Sequence, residues 1–201
     1  KEVVNVEIVE VFERYAKAKL LDIVRPSKKR VTPECKYYDQ CGRCHLQHIE
    51  YNEQLKNKKL ILEQSIKRFS SLDEVKNKVD YTLNNQQPYG YKRQETFVLR
   101  NTNFGLAMGF FNPVTNDFVF IDDCKVLDQE INQIAGLALK LFRKHKLKAY
   151  DRRNREGHLF DLVIRYFKNT DAASVIVTVS EEFPKLKAIA KEMIDAFQSI
   201  Q

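Results

Sequence analysis

No apolar stretch of this 201-residue chain approaches the ~18 residues that a helix needs to cross a bilayer. The first residues, Lys1-Glu2-Val3-Val4-Asn5-Val6-Glu7, carry no apolar signal core. Without a secretory signal the expected compartment is the cytoplasm, where thiols stay reduced, so clustered cysteines there point to metal binding or catalysis rather than disulfides. There is no internal repeat and no low-complexity tract, which excludes solenoids and arrays. Gly-rich turns after a buried strand are also missing, so nothing in the chain matches a dinucleotide-type cofactor cradle. Gly105-Leu106-Ala107-Met108-Gly109 lies between strand patterns and reads as a sheet turn or a close-packing site. The chain lacks an initiator Met and starts and stops inside structured patterns, so it reads as a fragment of a larger protein.

What is present supports a folded core. Apolar residues make up 43% of the chain and charged residues 30%, with 34 Lys and Arg against 27 Asp and Glu. The formal net charge of +7 fits a polyanionic partner such as nucleic acid or an anionic membrane surface.

Alternating apolar residues predict strands over 3–12 and 15–24. In the first, the phase changes between Ile8 and Val9, as a β-bulge would require. Together these read as the last strands of a small β-barrel, closed off by the polar linker Pro26-Ser27-Lys28-Lys29-Arg30. Residues 33–48 lack periodicity and read as a loop. A helix is expected over 50–69, with Leu55, Leu62, Ile66 and Phe69 on one face. A polar loop over 73–90 leads to short strands at 95–100, 105–111 and 117–121. A helix follows at 127–145, with Ile131, Ile134, Ala138, Leu141 and Phe142 as its apolar stripe. Strands at 158–167 and 173–180 precede a last helix that opens at Pro184 and presents Leu186, Ile189, Met193, Ile194 and Phe197. Short antiparallel strands with segregated helices make the fold class α+β.

The chain has four cysteines: Cys35, Cys41 and Cys44 in Cys-x5-Cys-x2-Cys spacing, and Cys124 after the strand-like Phe118-Val119-Phe120-Ile121. Thiolates are soft donors suited to iron–sulfur clusters and to zinc. The x2 spacing lets two sulfurs of one turn reach one site, Gly42 permits the tight backbone, and Cys124 would close the site from the sheet. Zinc ribbons usually offer two close cysteine pairs, whereas this three-plus-one arrangement favours an iron–sulfur cluster; zinc remains the competing reading. His45 and His48 are either RNA contacts or neighbours of the site, with ordinary packing or a surface position the plainer account of each.

Basic groups recur at Lys28-Lys29-Arg30, at Lys92-Arg93, and through 140–155, where Lys140, Arg143, Lys144, Lys146, Lys148, Arg152, Arg153 and Arg155 stand against Asp151. A solvated helix face explains such a run as often as phosphate contacts do. Tyr37, Tyr38, Tyr89 and Tyr91 are candidates for base stacking or for packing under the cysteine loop.

Several segments taken together resemble the 23S rRNA uracil-5-methyltransferases: Ile23-Val24-Arg25-Pro26-Ser27, Arg30-Val31-Thr32-Pro33-Glu34-Cys35, Cys41-Gly42-Arg43-Cys44-His45-Leu46-Gln47-His48, Tyr51, and Gln54-Leu55-Lys56. The resemblance continues through Tyr91-Lys92-Arg93, Gly109-Phe110, Ile121-Asp122-Asp123-Cys124 and Leu162-Val163-Ile164-Arg165. It implies a TRAM-type barrel module ending at residues 1–26 and a central domain over 27–201. That domain would hold a 4Fe-4S cluster on Cys35, Cys41, Cys44 and Cys124. A catalytic domain that uses S-adenosylmethionine would lie outside this chain.

In that family a cysteine thiolate adds to uracil C6 so that C5 can accept the methyl group. All four cysteines here belong to the proposed site, so the resemblance assigns no catalytic and no S-adenosylmethionine-binding residue, and the 201 residues alone are expected to be inactive. The partner implied is RNA, 23S rRNA in particular, bound by a monomer without a membrane, with Lys28, Lys29, Arg30, Arg43, Tyr91, Lys92, Arg93, Arg152, Arg153 and Arg155 as contacts. Where the family more often shows Cys-Gly-Gly-Cys this chain has Arg43, and Tyr91-Lys92-Arg93-Gln94 stands for Tyr-Arg-Asn-Lys. Lys keeps the charge but lacks the planar fork of Arg. The alternative is a non-catalytic RNA-binding module stabilised by zinc or a cluster, and a weaker third reading is an electron-transfer protein.

Overall fold

The computed structural model of the chain describes residues 2–69 and 79–200. The fold is α+β with purely antiparallel sheets, and it divides into two compact units. One comprises residues 1–33 and 46–84, the other 34–45 and 85–201. Part of the polar loop expected at 73–90, residues 73–78, lies outside the described residues.

The first unit contains a hairpin of β1 (Val3–Val11) and β2 (Ala16–Arg25). These two strands pair only with each other, so no closed barrel forms among the described residues. The expected bulge is present: pairing shifts between Ile8 and Glu10, where the apolar phase changes. Val6, Ile8, Val9, Val11, Leu20 and Leu21 are all exposed.

Next to the hairpin in sequence is a short cysteine-bearing helix, α1 (Tyr38–Cys41), which belongs to the second unit and which lack of periodicity concealed. Helix α2 (Tyr51–Phe69) returns to the first unit. Of its expected face, Leu55 and Ile66 are half-buried and Leu62 is exposed. Residues 29–31 are hydrogen-bonded to 48–50, and Thr82 donates to the Leu55 carbonyl at 3.2 Å.

The second unit is a five-stranded sheet. In chain order its strands are β3 (Gln94–Thr102), β4 (Gly105–Phe111), β5 (Phe118–Phe120), β6 (Leu159–Phe167) and β7 (Ala172–Val179), and in space they run β5-β4-β3-β6-β7. Alternation gives the sheet two faces. Phe97 and Leu99 of β3, Met108 and Phe110 of β4, and Leu162 and Ile164 of β6 are buried together. Thr96 and Arg100 of β3 point to the opposite, open face.

Helix α3 (Gln129–Lys144) packs on the buried face through Ile131, Ile134, Ala138 and Phe142, none more than 1% exposed. Asp128 caps it by accepting from the Glu130 amide at 3.0 Å. Helix α4 (Lys185–Ala196) buries Ile189 and Met193. Ile194, expected on the same face, is 49% exposed because it lies one residue, about 100°, off the 186–189–193 stripe.

Gly109 sits where β4 meets β5. A Cβ there would come within 2.0 Å of the Val119 carbonyl oxygen, and the obstacle is backbone. Gly109→Ala is therefore expected to destabilise the second unit by about 3 kcal/mol. The check is the urea midpoint at unchanged slope.

Candidate functional site

The four cysteines lie in the second unit, and each is half-buried and free of disulfides. Residues 35–44 are fastened to the sheet at several points. Tyr37 donates its hydroxyl to Asp122 at 2.7 Å, and Lys36 pairs with the same carboxylate at 2.8 Å. These donors hold the Asp122 carboxyl below the usual carboxylate range. Asn112 donates to the Gln40 carbonyl at 2.7 Å. Gly42 ends α1 at φ +66°, in the left-handed region that favours glycine, and its α-carbon faces Asn112 and Pro113 so closely that a Cβ would stand about 3.0 Å from them.

Arg43 completes the attachment. Its guanidinium lies 4.1 Å from the Phe110 ring centre and 3.3 Å from Glu95, a carboxylate on the buried face of β3 that is only 6% exposed. Lys92 reaches Glu95 from the other flank at 2.6 Å.

Cys124 follows β5 and is held by its backbone. The Asn132 side chain on α3 accepts from the Cys124 amide at 3.0 Å and donates to its carbonyl at 3.2 Å. Cys124 and Cys41 pack against the core cluster. Burial pushes the Cys124 thiol up to about 11 and also raises that of Cys41. In both cases Cys35 and Cys44 add a smaller contribution to the rise. Cys41 and Cys124, raised in this way, would ligate a metal only with loss of the thiol proton, as thiolate ligation requires.

The chemistry of the donor set fits a thiolate-ligated group: four soft ligands, all in one unit. Among the described residues, however, no three Cys, His, Asp or Glu side chains form a ready site for a metal ion. Tyr89 is half-buried, and burial first, then Glu34, Cys35 and Cys44, raises its hydroxyl above the usual range, while Tyr37 is half-buried, packs against the core and has Lys36 over its ring at 5.0 Å. His45 bonds the Gly42 carbonyl at 3.1 Å.

The basic candidates fall into two groups. Arg30 forms a fork with Glu2, its Nε and Nη2 each 2.7 Å from a carboxylate oxygen, and Lys29 pairs with Glu50 at 2.6 Å. Arg43 and Lys92 share Glu95, and Arg93 pairs with Asp128 at the start of α3. Lys28, Arg152, Arg153 and Arg155 are exposed and make no ion pair with any described residue. Tyr91 is 52% exposed. Sequence reasoning missed Glu95, Asp122, Asn112 and Asn132, the polar residues that hold the cysteine segment. Only the capping residue Asp128 had a visible signal, standing directly before the apolar stripe of α3.

No family model matches the chain. An uncharacterized RNA methyltransferase of Listeria innocua is 31% identical over 201 residues, which is 99% of this chain and 44% of that protein. One from Clostridium acetobutylicum is 29% identical over 201 residues, 100% of this chain and again 44% of the relative. Over its whole length the chain is similar to RNA methyltransferases. It spans less than half the length of these curated relatives. The crystal structure of Pyrococcus abyssi tRNA (uracil-54, C5)-methyltransferase with S-adenosyl-L-homocysteine matches 92% of this chain and 40% of its own, at TM-score 0.57 and 23% identity. At that identity the likeness establishes the fold.

Two outcomes follow from these contacts. Removing Arg43 strips the guanidinium from Phe110 and leaves Glu95 with Lys92 and the Thr96 amide, so Arg43→Ala is expected to cost about 1 kcal/mol. The loosening should appear first as faster amide exchange across 35–44, with β6 and β7 unchanged. Second, Arg30 and the Ser27 amide hold the Glu2 carboxyl at about 2, below its ordinary 4.5. The stabilisation from Glu2 is then full above pH 4.5 and is lost as pH falls toward 2. Exchange protection at Ser27 and Arg30, corrected for intrinsic rate, should decline across that window and be flat in Glu2→Gln.

Proposed function

We propose that this chain is the RNA-gripping and cluster-bearing part of an RNA uracil-C5 methyltransferase, with 23S rRNA as substrate. The observation that carries the reading is a coincidence. A chain similar throughout to RNA methyltransferases also gathers all four of its cysteines into one unit. On this reading residues 1–26 belong to a TRAM-type barrel. The exposed apolar side chains on β1 and β2 support it, because a lone two-stranded hairpin is marginal in water and apolar residues so placed ask for cover. Residues 27–201 form the central domain.

Cys35, Cys41, Cys44 and Cys124 would hold a 4Fe-4S cluster, which supplies a fixed cross-link between the cysteine segment and the sheet. The three-plus-one spacing of these cysteines, unlike the two close pairs usual in a zinc ribbon, favours a cluster over zinc. What the chain's own residues do is structural: Arg43, Lys36, Tyr37 and Asn112 set the three-cysteine segment, and Asn132 sets the fourth cysteine. Half-burial keeps solvent from much of the site.

Methyl transfer from S-adenosylmethionine would occur in a catalytic domain outside these residues. No cysteine remains here to add to uracil C6, so the 201 residues bind RNA and methylate nothing alone. A reducing cytoplasm is the compartment that thiolate ligation asks for.

The test is anaerobic purification with iron, sulfide, zinc and absorption measured on one sample. The expected result is brown protein with about four irons and four sulfides per chain, and loss of both in Cys124→Ala. Colourless protein with one zinc would favour a zinc-stabilised RNA-binding module with no catalytic partner.

A further inference from the structure

The basic run at 140–155 takes on a definite shape in the second unit. The β3–β4 hairpin turns through Asn103 and Phe104, and Phe104 is 97% exposed. A phenylalanine so exposed contributes nothing to the core, yet its backbone is held in place. Thr102 accepts from the Phe104 amide at 3.2 Å and donates to the Gly105 carbonyl at 2.8 Å. Gly105, at φ +99°, lets the strand resume.

A cleft opens beside this ring, lined by Phe104, Leu106, Lys146, Lys148, Asn154 and Glu156 among others. Its floor is built. Asn101 donates to the Ala149 carbonyl at 2.8 Å and accepts from the Ala149 amide at 2.9 Å, which fastens the basic segment to the end of β3. Lys146 is turned outward by its left-handed backbone, φ 57°, just past the end of α3. Lys146 and Lys148 are exposed and make no ion pair with any described residue. Of the two carboxylates on the cleft, Asp151 already accepts from the Arg153 amide. A second cleft shares Asn101 and Asp151 and extends the positive lining through Arg100, Arg152 and Arg153 on the open face of the sheet.

A bare aromatic ring on a fastened turn, flanked by unpaired cations, is the composition that grips unpaired nucleotides: bases stack on the ring while phosphates meet the cations. Duplex RNA hides its base faces and would use only the cations. We propose that Phe104 is a stacking platform for an unpaired base of the bound RNA, with Lys146 and Lys148 on the adjacent phosphates. Asn154 offers a donor and an acceptor to a base edge. The inference rests on the RNA-binding reading above and names where, and to which form of RNA, the chain binds.

The chain has no tryptophan, so Phe104→Trp introduces a sole indole reporter. The probe is a single-stranded RNA 12-mer, with its duplex and heparin as comparison polyanions. Expected are quenching of the indole by the single strand and not by duplex or heparin, and about tenfold weaker single-strand binding in Phe104→Ala at unchanged thermal midpoint. Lys146→Ala with Lys148→Ala should flatten the salt dependence of log affinity by about 1.4. Affinity unchanged in Phe104→Ala, or equal quenching by all three polyanions, overturns the stacking assignment while leaving RNA binding intact. No binding of any RNA by the wild-type chain overturns the RNA-binding reading itself, and the platform with it.

Discussion

The cysteine segment of the second unit depends on one buried negative charge. Glu95 lies on the inner face of β3, two residues from Phe97, where apolar side chains are the rule. An ionised carboxylate there is tolerable only if cations and hydrogen-bond donors reach it. Arg43 arrives from between the second and third cysteines, Lys92 from the strand's approach, and the Thr96 amide donates at 3.0 Å. The carboxylate thereby ties a polar segment without periodicity to the most regular element of the unit. An apolar residue at 95 would satisfy the core equally well but would leave Arg43 and Lys92 nothing to close upon.

The same logic sorts the basic residues, and it changes what net charge means for this chain. Lys29, Arg30, Arg43, Lys92 and Arg93 are cations by sequence, but in the fold each faces a carboxylate. Their positive field is largely cancelled at short range, and a phosphate would have to compete with a partner already in place. Among the described residues the densest run of exposed cations without an ion pair is that of the 146–155 segment, held out on turns with left-handed residues at Lys146 and Arg155. Motif likeness pointed to Lys92 and Arg93 as RNA contacts. Charge pairing makes the less motif-like run the better candidate for phosphate contact on the proposed reading.

Period and turn chemistry made most of the fold legible from sequence. The bulge between Ile8 and Glu10, the stripe of α3 and the opening of α4 at Pro184 are local facts, and each residue carries its own signal. The hairpin was expected to join a barrel, and among the described residues it pairs with itself alone. Short α1 was invisible because four residues hold barely one helical period. At the site, the cysteines advertised themselves by type and spacing, while the groups that position them did not. Asp122, Asn112, Asn132 and Glu95 act through contacts to residues 8 to 86 positions away, and a polar residue in a sequence does not say whom it will meet.

This division of labour bears on what a cluster would do here. In a small metal-dependent domain the ligated metal stands in for a missing core, and removing it unfolds the chain. The second unit is built otherwise. Its sheet and α3 bury Phe97, Phe142, Ile131, Leu159, Leu162 and Ile164 at 1% exposure or less, while Cys41 and Cys124 only pack against the edge of that core as half-buried residues. The cysteine segment is already held by Glu95, Asp122 and Asn112 before any metal is counted. On the proposed reading, a cluster added to such a scaffold would fix the last freedom of the segment between Cys35 and Cys44 rather than create the fold, and its removal would loosen that segment more than it would lower global stability.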